Sequence, residues 1–444
     1  MKYPFIRNDS IAQPLSNPAY MEQAVAPKPL YNRVIYFLFY MFALYLVLPL
    51  VDVPLLGLSL SAPIFFFIAL VCIFKPPEPW SRTYQRWIIL AILIFLGIFL
   101  SAMANGLLSG GAHIDNQGIL SIIQYAYWLL AFVITAYLAS QGKVLQTVAS
   151  LLGWSVMILA LLRLGEVAIY GNIGAWTGTH LMTENGYGFL FSIFSPFLLF
   201  LMIEQGGWKR LWAIMGNLLL WGAVAINGSR GSWVAIGVGL GLCLLLLVWS
   251  RPGKFIGLLV MLLLMGGVLS AAWVALPDVS AKVLHRFNTL QSLNEDKSYM
   301  IRQVLIQKAL ALYEQSPIIG VGVNRFNQSS VIIDAPELLN YKSQASFNRE
   351  SAHNSYLDFL AENGLLGAVP FALLLLILAI QGLYSAYRGT RRGQYAALAV
   401  FLSFVQMSVH MWAIATLSNT ANWFIYGLVA AMIILARVES KKAK

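Results

Sequence analysis

The chain has 444 residues, of which 59% are hydrophobic and 11% are charged, and its formal net charge is +11. An ordinary soluble domain carries about 25% charged residues, so the composition excludes a soluble protein. Apolar runs of about 20 residues recur along the chain, which is the length that crosses a hydrocarbon core about 30 Å thick. The sequence therefore predicts an all-α polytopic membrane protein.

About twelve apolar segments are predicted to cross the membrane. Their approximate ranges are 33–51, 54–74, 87–104, 119–139, 144–162, 187–203, 209–226, 232–250, 254–276, 364–387, 393–414 and 420–437. The predicted organisation is a cytoplasmic N-terminal segment (1–32), spans one to nine (33–276), a periplasmic loop domain (277–352), spans ten to twelve (353–437) and a cytoplasmic tail (438–444). The start of the chain is polar rather than basic and apolar, so no signal-peptide cleavage is expected.

Lysine and arginine predict the orientation of these spans. With both termini in the cytoplasm, most of the 29 basic residues fall in cytoplasmic segments, as the positive-inside rule requires. The positive charge is then a topology signal, and the basic face meets the anionic head groups of membrane lipid. Nucleic acid binding is not needed to explain it.

The Cys and acidic residues argue against several kinds of site. Cys72 and Cys243 both fall inside predicted spans, so a disulfide framework and a cysteine nucleophile on the outer side are unsupported. No HExxH or DxD pattern occurs, and no cluster of carboxylates or histidines can be assembled on the outer face. The sequence predicts neither a metal nor a cofactor.

The turn "INGSRGSW" joins the seventh and eighth predicted spans on the outer side. Gly228 and Gly231 permit positive φ, where backbone N–H groups can converge, and Ser232 can cap the following helix. Arg230 stands on the side where arginine is disfavoured. One interpretation is a tight loop whose arginine contacts lipid phosphate; the other is an anion site. It is not a P-loop, because no Gly-Lys-Ser/Thr follows.

The outer loop contains "YMIRQVLIQKALALYEQ", residues 299–315, which predicts an amphipathic helix. Ile301, Leu305, Ala309 and Leu312 form its apolar stripe, and Pro317 follows its end. On this helix Arg302 has an ordinary interpretation as part of a solvated polar face.

His353 precedes the tenth span in "AHNSYLDFLAENGLLG". A lone histidine in a membrane protein is more often a hydrogen-bonded interfacial residue than a catalyst. At a helix N-terminus, however, the dipole disfavours the imidazolium, so the ring stays neutral and able to accept a proton. Asp358 and Glu350 are near in sequence, and either could orient the ring.

Three of these stretches together resemble the ordered signature of the O-antigen ligase and polymerase superfamily of bacterial envelopes. They are "NGSRGSW", the arginine in "YMIRQVLIQKALALYEQSPIIGVGVNRF", and "AHNSYLDFLAENGLLG", and they span Asn227 to Gly367. Twelve spans with one large outer loop before the tenth also resemble the ligases.

The resemblance implies a metal-independent, inverting membrane glycosyltransferase of the GT-C type in the bacterial inner membrane. Its donor would be an undecaprenyl-diphosphate-linked glycan, and in a ligase the acceptor would be lipid A–core oligosaccharide. By the same analogy Arg230 and Arg302 engage the diphosphate and His353 acts on the acceptor hydroxyl. Arg163, placed by the prediction in an outward loop, is a further candidate phosphate contact. The supporting residues are Asn227, Ser229, Gly231 and Asn354.

Several alternatives stay open at this point. Lys308 and Arg325 are near Arg302 in sequence and could be the phosphate ligand instead. A polymerase that extends the lipid-linked O-antigen or exopolysaccharide shares the same motifs. A twelve-span transporter of lipid-linked substrate would need related halves or midplane polar helices, which the sequence lacks, and a scaffold would tolerate substitution of Arg230 and His353.

Overall fold

The computed structural model describes residues 30–48, 61–74, 82–110, 115–170, 182–288, 297–332 and 343–442, and within these ranges its regular structure is helical with no strand. The helices are α1 (Leu30–Val47), α2 (Ser61–Phe74), α3 (Arg82–Leu108), α4 (Asn116–Ala139), α5 (Val144–Tyr170), α6 (Glu184–Glu204), α7 (Gly207–Asn227), α8 (Arg230–Ser250), α9 (Pro252–Ala275), α10 (Pro277–Asn288), α11 (Lys297–Gln315), α12 (Gln344–Asn348), α13 (Ser355–Arg391), α14 (Tyr395–His410) and α15 (Thr420–Lys442).

Nine of the described helices are long and apolar enough to cross a membrane: α3 to α9, α13 and α15. The shorter apolar helices are α1, α2 and α14. Each of the twelve segments predicted from the sequence overlaps one of these helices, and the chain is a polytopic membrane protein. Whether the three shorter helices also cross stays a prediction.

The core of the bundle is centred on α6, which packs against α5, α7, α8 and α14. Nearly all of its side chains are buried, including a run of phenylalanines from Phe189 to Phe200. Thr183 caps its N-terminus by accepting a hydrogen bond from the backbone N–H of Gly186 at 3.1 Å, which satisfies one of the four unpaired N–H groups of the first turn. By contrast, most of α9 is exposed, as expected of an apolar helix that faces lipid.

The predicted amphipathic helix is present as α11, and its apolar stripe is buried. Leu305, Ala309 and Leu312 are each 0–1% exposed. Ala309 and Leu312 pack with Ala361 of α13 and with Phe326 in the turn that follows α11, whereas Leu305 packs with Phe347 of α12. The segment from α10 to α12, called the outer segment below for its predicted location, is thus held on the bundle by small apolar clusters of its own.

Helix α13 is interrupted at Gly364, and the turn after α11 is hydrogen-bonded to the backbone at this interruption. Gly364 has φ 56° and ψ −161°, a conformation that is essentially restricted to glycine. The break frees two carbonyls and two N–H groups of α13, and the turn pairs with all four. The bonds are Val321 N to Ala361 O (2.9 Å), Gly322 N to Glu362 O (3.0 Å), Leu365 N to Pro317 O (2.9 Å) and Leu366 N to Ile318 O (3.0 Å).

Candidate active site

A cavity of about 130 Å³ lies where the ends of α7, α10 and α14 meet the starts of α6, α8 and α11. Arg230, Arg286 and Arg302 line it from three separate helices, and Glu184 is the one carboxylate among its lining residues. Glu184 lies 3.9 Å from Arg286, and both side chains are partly exposed, so this pair holds little energy. The described lining therefore has three guanidinium groups against one carboxylate, which favours an anion with more than one charge.

The turn before α8 agrees with the sequence prediction at Gly228 and differs from it at Gly231 and Ser232. Gly228 adopts φ 72° and ends α7, but Gly231 lies inside the first turn of α8, which begins at Arg230. The expected cap at Ser232 is wrong: its hydroxyl donates to the carbonyl of Ser229 at 2.7 Å, and Ser229 itself occupies the N-cap position. Arg230 consequently stands at the N-terminus of α8, where the helix dipole also favours an anion.

Asn227 fixes this turn against the start of α6. Its side-chain amide donates to the carbonyl of Glu184 at 2.8 Å, and the residue is fully buried. Because Ser229, Gly231 and Glu184 line the same cavity, the bond from Asn227 sets the distance between two of its walls.

Of the three basic residues that the sequence left open around α11, only Arg302 lines the cavity. Lys308 is 1% exposed and donates to the carbonyls of Phe326 (2.9 Å) and Asn348 (2.7 Å), and burial lowers its pKa to about 8. Arg325 donates to Asp115 at 2.5 Å. Lys308 therefore ties α11 to the rest of the outer segment, Arg325 ties that segment to the start of α4, and neither side chain lines the cavity.

His353 does not line this cavity, although its segment lies at the same end of the bundle. It has φ 49° and immediately precedes Asn354, the N-cap of α13, whose side chain accepts from the N–H groups of Tyr356 and Leu357. Ser355 N donates to Met411 O at 2.9 Å, which places the segment beside the end of α14. Asp358 accepts a 3.4 Å hydrogen bond from Ala352 N, so that carboxylate braces the turn that carries His353.

Residues 215–372 match the family model described as O-Antigen ligase. All three cavity arginines and His353 fall inside the matched segment. Residues 215–372 thus carry a domain of the O-antigen ligase superfamily. It matched no curated protein. Members of this superfamily are membrane glycosyltransferase-like enzymes of lipopolysaccharide or polysaccharide biosynthesis, and the match supports a function of that general kind.

Two lining residues that sequence inspection missed are Glu184 and His410, and both lie outside the segment matched by the O-antigen ligase model. His410 is 2% exposed, at the end of α14. Gly231 has no side chain at the point where the ring approaches; a Cβ there would lie 2.9 Å from Cδ2 and 3.0 Å from Nε2 of His410. Arg286 was also missed, because nothing in its local sequence distinguishes it from a solvated helix residue.

Arg163 lies away from the arginine cavity. Helix α5 continues to Tyr170, so the outward loop predicted around Arg163 is wrong: the residue sits within the helix and is fully buried. Nη1 is 3.3 Å from Glu166, and the guanidinium stacks 5.0 Å from the centre of the Tyr187 ring. It does not line the arginine cavity, and its proposed contact with phosphate stays a prediction.

A larger cavity of about 280 Å³ opens at the opposite end of the bundle. Lys143, Arg388 and Arg392 line it together with Glu204 and Glu439, so acidic and basic side chains nearly balance. α6 reaches it with Glu204 and reaches the arginine cavity with Glu184, which shows that the two lie at opposite ends of the same helices. Its mixed charge makes it a poorer anion site than the smaller cavity.

Proposed function

We propose that the protein is an O-antigen ligase, which transfers a glycan from undecaprenyl diphosphate to lipid A–core oligosaccharide. The observation that carries the proposal is the convergence of Arg230, Arg286 and Arg302 on one cavity inside the matched segment. A diphosphate diester carries two negative charges and several acceptor oxygens. Guanidinium groups arranged around it neutralise the charges and donate paired, charge-assisted hydrogen bonds to the oxygens.

In the proposed reaction the acceptor hydroxyl oxygen forms a bond to the anomeric carbon from the face opposite the diphosphate. The bond from that carbon to the phosphate oxygen breaks, and its electron pair leaves with undecaprenyl diphosphate, so the anomeric configuration inverts. Charge on the leaving phosphate grows in the transition state, and fixed guanidinium groups stabilise that state more than the ground state. The proton of the acceptor hydroxyl goes to His353, at the edge of the same end of the bundle.

The reaction is proposed to need no metal, because the arginines supply the positive charge that the leaving group requires. Among the described residues no group of three His, Cys, Asp or Glu side chains is placed as metal ligands would be. Metal independence stays a prediction that addition of EDTA tests directly.

The proposed topology has twelve spans, both termini in the cytoplasm, and the arginine cavity on the periplasmic face of the inner membrane beneath the 277–352 domain. Native Cys72 and Cys243 are buried, so introduced cysteines can be labelled over a low background. Ser298→Cys, at the arginine cavity, should react with a membrane-impermeant maleimide in spheroplasts. Val438→Cys, which is 43% exposed at the other end, should react only after the membrane is opened; the reverse pattern would invert the topology.

Reconstitution tests the activity. The purified protein would be mixed with undecaprenyl-diphosphate glycan and lipid A–core in the presence of EDTA. Wild-type protein should place glycan on lipid A–core. Loss of one donor at a developing charge costs about 10²–10³-fold in rate, so Arg302→Ala should fall by that amount. Arg392→Ala, at the opposite end, is the matched control and should keep full activity.

The outcomes separate the alternatives. Lengthening of the glycan on the undecaprenyl carrier would show that the protein is a polymerase. His353→Ala with wild-type activity would remove His353 from the mechanism. No transfer to either acceptor would exclude a glycosyltransferase; the transporter alternative is disfavoured because Arg230 and the His353 segment lie at the same end of the bundle.

A further inference from the structure

The His410 ring is oriented by a single hydrogen bond on the side away from the cavity. Nδ1 of His410 lies 2.8 Å from Oγ of Ser192 in α6, and both residues are buried. Ser192 Oγ also donates to the carbonyl oxygen of Phe189 at 2.8 Å. This is the only hydrogen bond of the ring among the described residues.

The two contacts assign a tautomer to His410. A hydroxyl has one proton to donate and a carbonyl oxygen can only accept, so the Ser192 proton is assigned to the bond with Phe189 O. With that assignment Ser192 Oγ accepts from Nδ1–H of His410, and the neutral ring carries its proton on Nδ1 and a lone pair on Nε2. Nε2 lies at the Gly231 wall, 3.0 Å from where a Cβ would stand, and both residues line the arginine cavity.

A lone pair on this wall needs a hydrogen-bond donor from the ligand. The oxygens of an ionised diphosphate diester only accept hydrogen bonds and would be repelled by Nε2. The sugar next to the diphosphate carries hydroxyls, which donate. A ligand that satisfies both the arginines and Nε2 therefore combines anionic phosphate oxygens with a neighbouring hydroxyl.

We propose that His410 binds the donor glycan: Nε2 accepts a hydrogen bond from a hydroxyl of the sugar attached to the diphosphate. Ser192 is the positioning residue that holds the ring in this tautomer. The inference rests on the proposed function, since it assumes a glycosyl diphosphate in the cavity. It assigns His410 a task separate from that of His353, which is to accept the acceptor's proton.

The test measures binding of two probes to the purified protein in detergent. One is farnesyl diphosphate, and the other is farnesyl diphosphate with one hexose on its terminal phosphate. For each probe the dissociation constant of a variant is divided by that of the wild type, so that the different charges of the probes cancel. His410→Phe should weaken binding of the hexose probe by about tenfold, the loss of one hydrogen bond, with farnesyl diphosphate changed less than about twofold.

Three further variants distinguish the loss of this hydrogen bond from a general structural effect of the substitution. His410→Gln can place an amide oxygen near the position of Nε2 and should restore part of the lost affinity. Ser192→Ala frees the ring and should weaken the hexose probe selectively. Ser403→Ala removes another buried hydroxyl of the same helix pair, one that donates to Ile193 O at 2.6 Å, and should leave both ratios near one.

Arg302→Ala should weaken both probes, because its contact is to phosphate. If His410→Phe weakens both probes equally or neither, the assignment of His410 is overturned while the proposed function stands. If wild-type protein binds neither probe, both proposals fail together. If binding is unchanged in His410→Phe but transfer to lipid A–core falls, His410 contacts the acceptor and the inference about the donor sugar is wrong.

Discussion

Replacement of Gly364 by alanine should dislodge the helix that carries Arg302. At φ 56° and ψ −161°, a side chain costs about 1–3 kcal/mol in backbone strain. The new Cβ would also lie 2.5 Å from the amide nitrogen of Gly320 and against the carbonyl oxygen of Ile318. These are backbone atoms that cannot rotate away, and overpacking of this kind adds about 1–3 kcal/mol. The expected loss is therefore about 2–6 kcal/mol.

Thermal unfolding and limited proteolysis in detergent measure this effect. The midpoint of Gly364→Ala should fall by about 2–6 °C, with early cleavage within residues 297–332 and a matching loss of glycan transfer. Gly237→Ala is the matched control: this glycine is in α8 with nothing within 4 Å of its added Cβ, so alanine should be neutral or slightly stabilising. Equal midpoints for the two variants would refute the argument that the break at Gly364 fixes α11.

Three further predictions concern charged residues in the outer segment or in contact with it. Arg286→Gln should weaken binding of the donor by about tenfold or more, since it removes a charge-assisted contact; unchanged affinity in a titration would take Arg286 out of the site. Burial lowers the pKa of Lys308 from 10.5 to about 8, so unfolding takes up a proton between these pH values and stability rises with pH. The unfolding temperature of the wild type should therefore rise relative to that of Lys308→Met between pH 8 and 10.5. A difference between the two proteins that does not change with pH would contradict this. Asp115 accepts hydrogen bonds from Gly118 N and Arg325, and these interactions lower its pKa. The midpoint of thermal unfolding should fall from wild type to Asp115→Asn to Asp115→Ala, because asparagine can still cap the helix. Equal midpoints for the two variants would show that the cap has no role.

The helices could be predicted from sequence because their cause is local. Runs such as residues 187–203 are apolar over nearly the length of a membrane span, and the spacing of Leu305, Ala309 and Leu312 predicts α11. The ends of helices were less accurate. α5 continues to Tyr170, past the polar pair Arg163 and Glu166, because these two side chains neutralise each other inside the bundle and need no loop.

Only part of the arginine cavity could be predicted, because only some of its residues carry a local sequence signal. Arg230 carries a local signal, a basic residue in a glycine-rich turn, and Arg302 was marked by its motif. Arg286 and His410 acquire their setting from helices distant in sequence: Glu184 faces the first, and Ser192 orients the second. Their placement depends on packing of α6 against α14, which no local pattern encodes. His353, by contrast, had the stronger sequence signal and lies outside the lining.

The interruption at Gly364 also matters for how α13 meets the lipid. As a straight rod its 37 residues would extend about 55 Å, far beyond the roughly 30 Å of hydrocarbon. The piece after the interruption, residues 365–391, is about 40 Å long and suffices to cross. The preceding turns carry Asp358 and Glu362, and Glu362 accepts a hydrogen bond from the backbone N–H of Phe326 at 3.2 Å. In the proposed topology the interruption therefore separates a membrane-crossing piece of α13 from a piece packed under the outer segment, and two carboxylates lie outside the hydrocarbon, where each would resist insertion.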